Sequence, residues 1–290
     1  MRKLHWASWA VLGLAVAVAV TGIVFVLLRP SVGSAHHRQQ QPVLTLAAHS
    51  DGLSDAENGY RFVPVATPTE RGEAIRVAFR VIGPSGRPET EFLLNQTKQM
   101  HFFVVRDDMH VYQHVHPELV GDLWQTTIKI ADGGAYRMFA EFIPRDTNDP
   151  THPVVLGVPF SVSGETTLAE VPPPSVEAAV EDGFTVLRTE GLTEPRPRET
   201  TLLRLSIRNP DGTPVKALDE HLGAYGHMTG FNVTLLSATH LHPREALGTP
   251  MINGELTFQA IFAERGEHRL FLEFNSGGKV RQAAFTIFVN

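Results

Sequence analysis

Residues 100–117 read Met-His-Phe-Phe-Val-Val-Arg-Asp-Asp-Met-His-Val-Tyr-Gln-His-Val-His-Pro. Two apolar, β-branched runs, Met100–Val105 and Val111–His116, flank the polar group Asp107-Asp108-Met109-His110, so the stretch predicts an antiparallel hairpin closed at that turn. Whether the loop holds two residues or four, His101 faces either His114 or His116 and lies diagonal to the other. Side chains alternate along a strand, so all three histidines share one face, at the end of the hairpin away from the turn. Opposed Cβ atoms lie about 4.5–5.5 Å apart and diagonal ones about 7–8 Å, so three imidazoles can converge on one point.

The pattern occurs twice. His101, His114 and His116-Pro117 recur as His227, His240 and His242-Pro243, with the spacing His-x12-His-x-His-Pro in both halves. Asn58-Gly59-Tyr60 matches Asp182-Gly183-Phe184, and Gly83-Pro84-Ser85-Gly86 matches Asn209-Pro210-Asp211-Gly212. Tyr136-Arg137-Met138-Phe139-Ala140-Glu141-Phe142 matches His268-Arg269-Leu270-Phe271-Leu272-Glu273-Phe274. The chain is an internal duplication. In the first copy, strand-like runs fall near Arg61–Ala66, Ala74–Val81, Met100–Val105, Val111–His116, Trp124–Ile130, Tyr136–Phe142 and Val154–Val162, most of them separated by turn residues. Seven short strands without an amphipathic helical stretch argue for a sandwich. Asp132-x-Gly134-x-Tyr136-x-Met138 resembles the tyrosine corner that starts strand F of immunoglobulin-like domains, and Glu264-x-Gly266-x-His268-x-Leu270 is a degraded copy of it.

The expected fold is therefore all-β: two tandem immunoglobulin-like, seven-stranded sandwiches after an N-terminal transmembrane helix. Residues 59–165 and 182–290 form the sandwiches, joined by a linker over residues 166–181 that contains Pro172-Pro173-Pro174. Residues 36–58 are polar and aperiodic, as expected of a flexible tether, and residues 1–35 form an anchor or signal peptide. Ala7–Leu28 are 22 uncharged, mostly apolar residues; at about 1.5 Å per residue they cover a hydrocarbon core of about 30 Å. Arg2 and Lys3 precede them, which leaves the start in the cytoplasm and the bulk of the chain outside it. An uncleaved single-pass anchor in the cell membrane is favoured over a signal peptide cut near Gly33-Ser34-Ala35, which would release a secreted protein.

Composition narrows the function. The 290 residues carry a formal charge of −6 and no long basic run, which argues against a nucleic-acid partner. The chain has no cysteine and 14 histidines. Disulfides, thiolate sites, iron–sulfur clusters and blue copper centres are thereby excluded, and metal-binding capacity rests on imidazole. Three imidazoles with an open fourth position suit zinc; imidazole also suits copper and nickel, and on raw affinity divalent copper would win. The candidate metal ligands are His101, His114 and His116 in the first half and His227, His240 and His242 in the second. Met100 and Met228 stand beside the pattern but point to the opposite face of their strands. Ligation needs neutral imidazole, so affinity should fall as pH drops through about 6.5. The competing account makes the histidines structural, because Phe103, Val105 and Tyr112 lie on the same face as His101 and mark it as a core face.

Other candidates read as structural. His268 sits at the corner-tyrosine position; His36, His37, His49, His152 and His221 read as tether or loop residues, and His110 as an exposed turn residue. Arg137 and Glu141, like Arg269 and Glu273, lie on one side of a strand and read as surface ion pairs. The chain has no Gly-x-Ser-x-Gly, His-Glu-x-x-His or P-loop motif, so no catalytic residue is expected and the protein is not expected to be an enzyme.

The strings K-x-M-H-F-F-V-V-R-D-D-M…H-V-H-P and G-x-Y-R-M-F-A-E-F, with their second-half counterparts, resemble exported bacterial proteins described as YtkA-like or copper-resistance-associated. The resemblance covers roughly residues 60–290. It implies an immunoglobulin-like or cupredoxin-like sandwich at the cell envelope and heavy-metal handling through His101, His114, His116, His227, His240 and His242. Two functions follow as expectations: a membrane-anchored copper or zinc protein with a three-histidine site in each sandwich, or an adhesion or assembly module that binds an envelope protein through exposed strand edges.

Overall fold

The computed structural model describes residues 50–290. The apolar segment Ala7–Leu28, which carries the membrane expectation, lies outside the described residues, as do the side chains of His240 and His242. Among the described residues the helical content is one 3₁₀ turn, Glu181–Gly183.

The first half holds β1 (Ala56–Glu57), β2 (Tyr60–Ala66), β3 (Gly72–Ile82), β4 (Phe92–Leu93), β5 (His101–Arg106), β6 (Tyr112–Val115), β7 (Glu118–Val120), β8 (Leu123–Ile130), β9 (Gly134–Pro144) and β10 (Val154–Val162). The seven longest strands fall on the seven runs read from the sequence; β1, β4 and β7 are two- or three-residue additions. One sheet runs β1-β2-β3-β8-β7 and the other β10-β9-β5-β6. With β2, β3 and β8 opposite β10, β9 and β5, this is the A-B-E against G-F-C order of an immunoglobulin-like sandwich. Its core takes Phe62, Val77, Phe79 and Trp124 from the first sheet and Phe102, Val104, Met138 and Leu156 from the second. The alternation that sends Phe102 and Val104 inward sends His101, Phe103 and Val105 outward.

The second half holds β11 (Glu177–Ala179), β12 (Thr185–Arg188), β13 (Thr200–Arg208), β14 (Gly226–Asn232), β15 (Ala238–Pro243), β16 (Glu255–Ile261), β17 (Gly266–Ser276) and β18 (Lys279–Val289). These link into one eight-stranded order, β11-β12-β13-β16-β15-β14-β17-β18. The link is the His-x-His-Pro motif. Ala238–Leu241 pair with β14, and His242 and Pro243 then pair with β16. In the first half, Pro117, which has no N–H to donate, separates β6 from β7, and β7 pairs with β8. In both copies the motif marks where the chain passes from one sheet to the other.

The outward face of β5 is not solvated, because the two sandwiches pack on each other within the unit His49–Asn290. Phe103, Val105, Met109, Tyr112, Phe139 and Val155 meet Phe231 and Phe271 in a separate hydrophobic core. Tyr112 stacks on Phe271 with centroids 4.3 Å apart and planes 9° from parallel. Arg137 and Glu141 consequently do not form a surface ion pair. Arg137 Nε donates to the Gly52 carbonyl at 2.9 Å, holding residues 50–54 on the sheet. Glu141 is 2% exposed and accepts from Asn95 Nδ2 at 3.2 Å.

The tyrosine corner is present: Tyr136 Oη donates to the Asp132 carbonyl at 2.8 Å. His268, its counterpart, is fully buried. Its Nδ1–H donates to the Gly266 carbonyl at 3.2 Å, and its Nε2 has no hydrogen-bond partner among the described residues. Burial lowers its pKa from 6.5 to about 4, partly opposed by the bond to Gly266. As pH falls, the unfolded chain therefore takes up this proton before the folded one, so stability is lost between the two values. At 1.36 kcal/mol per pKa unit the loss is about 3 kcal/mol. Urea unfolding in the presence of a chelator should show at least that loss between pH 7 and pH 4, because His116 and His227, also kept neutral by burial, add to it. His268→Tyr, which restores a corner hydroxyl and removes the titration, should flatten the profile by about that amount; an unchanged profile would rule His268 out as its source.

Candidate metal centre

The hairpin closes as the sequence suggests, around Asp107–His110. Phe102 pairs with Val115, Phe103 with His114 and Val105 with Tyr112. This is the four-residue-loop register, which sets His101 across from His116 and diagonal to His114. Alternation puts the three rings on the outward face. His101, His114 and His116 bring one ring nitrogen each to within 4.8 Å of one another. Ring centroids are 5.2 Å apart for His101–His114, 4.9 Å for His101–His116 and 4.6 Å for His114–His116. With metal–nitrogen bonds of about 2.0–2.1 Å and ring centres about 1.1 Å further out, tetrahedral imidazoles would have centroids about 5 Å apart.

Hydrogen bonds fix two of the tautomers. His101 Nε2 lies 2.9 Å from the Asn95 carbonyl, which can only accept, so Nε2 carries the proton and Nδ1 the lone pair. His114 Nδ1 lies 2.7 Å from Glu273 Oε2, so in the neutral ring the lone pair is on Nε2. These two lone pairs, on His101 Nδ1 and His114 Nε2, face each other at 3.0 Å, with His116 Nε2 3.3 Å from the same His101 nitrogen. Two acceptors at that distance repel unless a proton or a metal ion lies between them. A carbonyl and a carboxylate that accept the outer N–H groups of ligand imidazoles are the usual second layer of a metal site.

Burial, with the neighbouring imidazoles of His114 and His101 and the Lys98 ammonium, lowers the His116 pKa to about 2. Its ring is thereby kept neutral well below the pH of about 6.5 expected from sequence. His116 also lines a surface groove of about 410 Å³ together with Arg76, Glu118 and Gln125, which gives the cluster a path to solvent.

The second copy repeats the scaffold where its side chains are described. His227 Nε2–H donates to the His221 carbonyl at 2.7 Å, as His101 does to Asn95, and each donor–acceptor pair lies 126 residues from its counterpart. His227 is 4% exposed. Burial, with His114, His221 and His101 close by, lowers its pKa to about 3. Its ring lies 6.4 Å from His101 and 6.0 Å from His114, about 1 Å beyond the spacing of the other three. His240 pairs with Thr229, matching His114 with Phe103, and His242 pairs with Gln259; what their side chains contact lies outside the described residues. Met100 and Met228 point away into the cores of their own sandwiches, as strand alternation requires. His110 is exposed in the turn, and exposed His152 pairs with Asp149.

Sequence reasoning missed three members of the centre: Asn95, His221 and Glu273. Glu273 was assigned to a surface pair, yet its side chain is 12% exposed and turned toward His114. A signal for it existed. Glu141 and Glu273 occupy equal places in the repeat and face His101 and His227 in the strand registers.

Among curated proteins, none matches the chain. Solved structures that the chain matches include the Escherichia coli adhesin FdeC, 14% identical over 81% of this chain and 65% of that one, with a TM-score of 0.26. Invasin, a bacterial integrin-binding protein, is 10% identical over 79% of this chain and 38% of its own, with a TM-score of 0.24. A copper-bound variant of FetP from uropathogenic Escherichia coli is 15% identical over 39% of this chain and 99% of its own, with a TM-score of 0.20. A family model described as a domain of unknown function (DUF8832) matches residues 54–158 and 178–290, one region in each sandwich. These regions make up most of the sequence, and the chain belongs to that family.

Proposed function

We propose that this is a non-enzymatic metal-binding protein of the cell envelope, anchored by Ala7–Leu28, that holds copper or zinc through His101, His114 and His116. The observation that carries this reading is the pair of lone pairs, His101 Nδ1 and His114 Nε2, aimed at each other at 3.0 Å. Their outer N–H groups are already committed to Asn95 and Glu273. A second proton on His114 or a cation would relieve the repulsion between rings held in this way, and His116 Nε2, 3.3 Å from the same His101 nitrogen, supplies the third nitrogen that a cation needs and a shared proton does not. The donor set is borderline nitrogen without sulfur, which fits divalent zinc or copper better than an all-soft site would. His227, His240 and His242 are the corresponding ligands for a second ion. A role in buffering or resisting copper or zinc outside the cytoplasm follows from the apolar N-terminal segment and the sequence resemblance.

The test is a competition titration of the full-length chain in detergent with zinc, divalent copper and monovalent copper. Binding of at least one equivalent, tighter than about micromolar, is expected. Nothing tighter than about millimolar would overturn the metal role, leave the histidines as structure and favour a module that binds a protein partner.

A further inference from the structure

The three imidazoles belong to the first sandwich, but the group that orients one of them does not. His114 on β6 donates to Glu273 on β17, 159 positions away in sequence, at 2.7 Å. The two side chains are 3% and 12% exposed, so this charge-assisted contact is largely shielded from water, where such bonds are strongest. Two residues before each partner on the same strands, Tyr112 stacks on Phe271. The aromatic stack and the imidazole–carboxylate bond are therefore successive rungs of one ladder between β6 and β17. Glu273 also faces His227 in the β14–β17 register, and the His227 ring lies 6.0 Å from His114.

Resting on the metal role proposed above, we infer that the centre is a clasp between the sandwiches. Glu273 is a positioning residue for His114, and a divalent cation held by His101, His114 and His116 tightens the docking of the second sandwich on the first. A cation on His114 Nε2 draws electron density from the ring and makes Nδ1–H a stronger donor, so the bond to Glu273 strengthens when the ion binds. The carboxylate in turn offsets part of the ion's charge in a buried setting. Because that bond crosses between sandwiches, linkage requires the ion to favour the docked arrangement by the same factor as docking raises affinity for the ion. Loss of such an outer partner typically lowers metal affinity about 10–100-fold.

Hydrogen exchange of the full-length chain in detergent, with and without zinc, reads this out. In the wild type, zinc should slow exchange in β5 and β6 and also at residues 271–275 of β17. Glu273→Gln keeps the shape and an acceptor oxygen but removes the charge. It should lower zinc affinity about 10–100-fold and confine the slowing to the first sandwich. A purely structural Glu273 would alter the zinc-free protein and leave the zinc response in place. Slowing confined to β5 and β6 in the wild type would overturn the clasp, as would a Gln variant with unchanged affinity and exchange. Zinc that changes exchange nowhere would instead overturn the metal role itself, and the clasp with it.

Discussion

Changing His101 to alanine is expected to lower affinity for the bound ion by about 10³-fold, which is about 4 kcal/mol at 1.4 kcal/mol per factor of ten. His101 is the ring that approaches both others, through the same Nδ1, at 3.0 Å and 3.3 Å. Its removal leaves two ligands whose nearest shared neighbour is gone, whereas loss of an outer partner only loosens a ligand. The effect should appear as a lost stabilisation. An ion at 1,000 times its dissociation constant raises stability by about 4.1 kcal/mol, so the zinc-induced rise in melting temperature should vanish in the variant. His101 is 2% exposed, so truncation will also weaken the zinc-free fold. His116→Ala, at the less buried edge of the cluster, should lose the zinc response at a smaller cost to that fold. His110→Ala, exposed at the far end of the hairpin, should behave as wild type. Zinc stabilisation that survives in both His101→Ala and His116→Ala would rule out the three-histidine centre.

The strand content, the hairpin turn and the shared face of the histidines could all be read from the sequence because each is local. Alternation with period two fixes which side chains stand together, and the Asp107–His110 turn limits the register to two choices, one of which the fold takes. The corner tyrosine was legible for the same reason, since its hydroxyl bonds a carbonyl four residues upstream. What could not be read was where the outward face of β5 goes. Phe103, Val105 and Tyr112 mark that face as apolar, and a single sandwich offers nothing to cover it. The cover is the other copy of the repeat, through Phe231 and Phe271.

The misplacement of Glu141 and Glu273 follows directly. A charged residue on an outward strand face is ordinarily solvated, and an arginine four positions away is then its natural partner. Once the outward faces meet each other, that rule reverses. The arginine is free to hold the residue 50–54 segment, and the carboxylates turn toward imidazole and amide groups. The account that made this a core face holds, and the histidines stand at the edge of that core, where one of them reaches a groove.

If the meeting of the two outward faces organises the centre, truncating its most buried aromatic should do more than lower stability. Phe231 is fully buried, with ring centroids 5.2 Å from Phe139, 5.8 Å from Tyr112 and 6.2 Å from Phe271. Two of those neighbours lie in the other sandwich. Phe231→Ala should cost about 3–5 kcal/mol, the range for large aromatic truncations in cores. Phe258→Ala makes the same truncation at an equally buried position inside the second sandwich. The two should differ in kind. Loss of Phe258 weakens one sandwich's own core, whereas loss of Phe231 weakens what couples the sandwiches. In urea unfolding, the fluorescence of Trp124, buried in the first sandwich, should remain coincident with the circular dichroism transition in the wild type. In Phe231→Ala the two should separate, because each sandwich then unfolds at its own midpoint. Zinc should narrow the gap between them only while His101 is present, since the ion acts on the same contact from its polar end. Coincident transitions together with a loss under about 1 kcal/mol would mean that the aromatic contacts between the sandwiches do not hold them together.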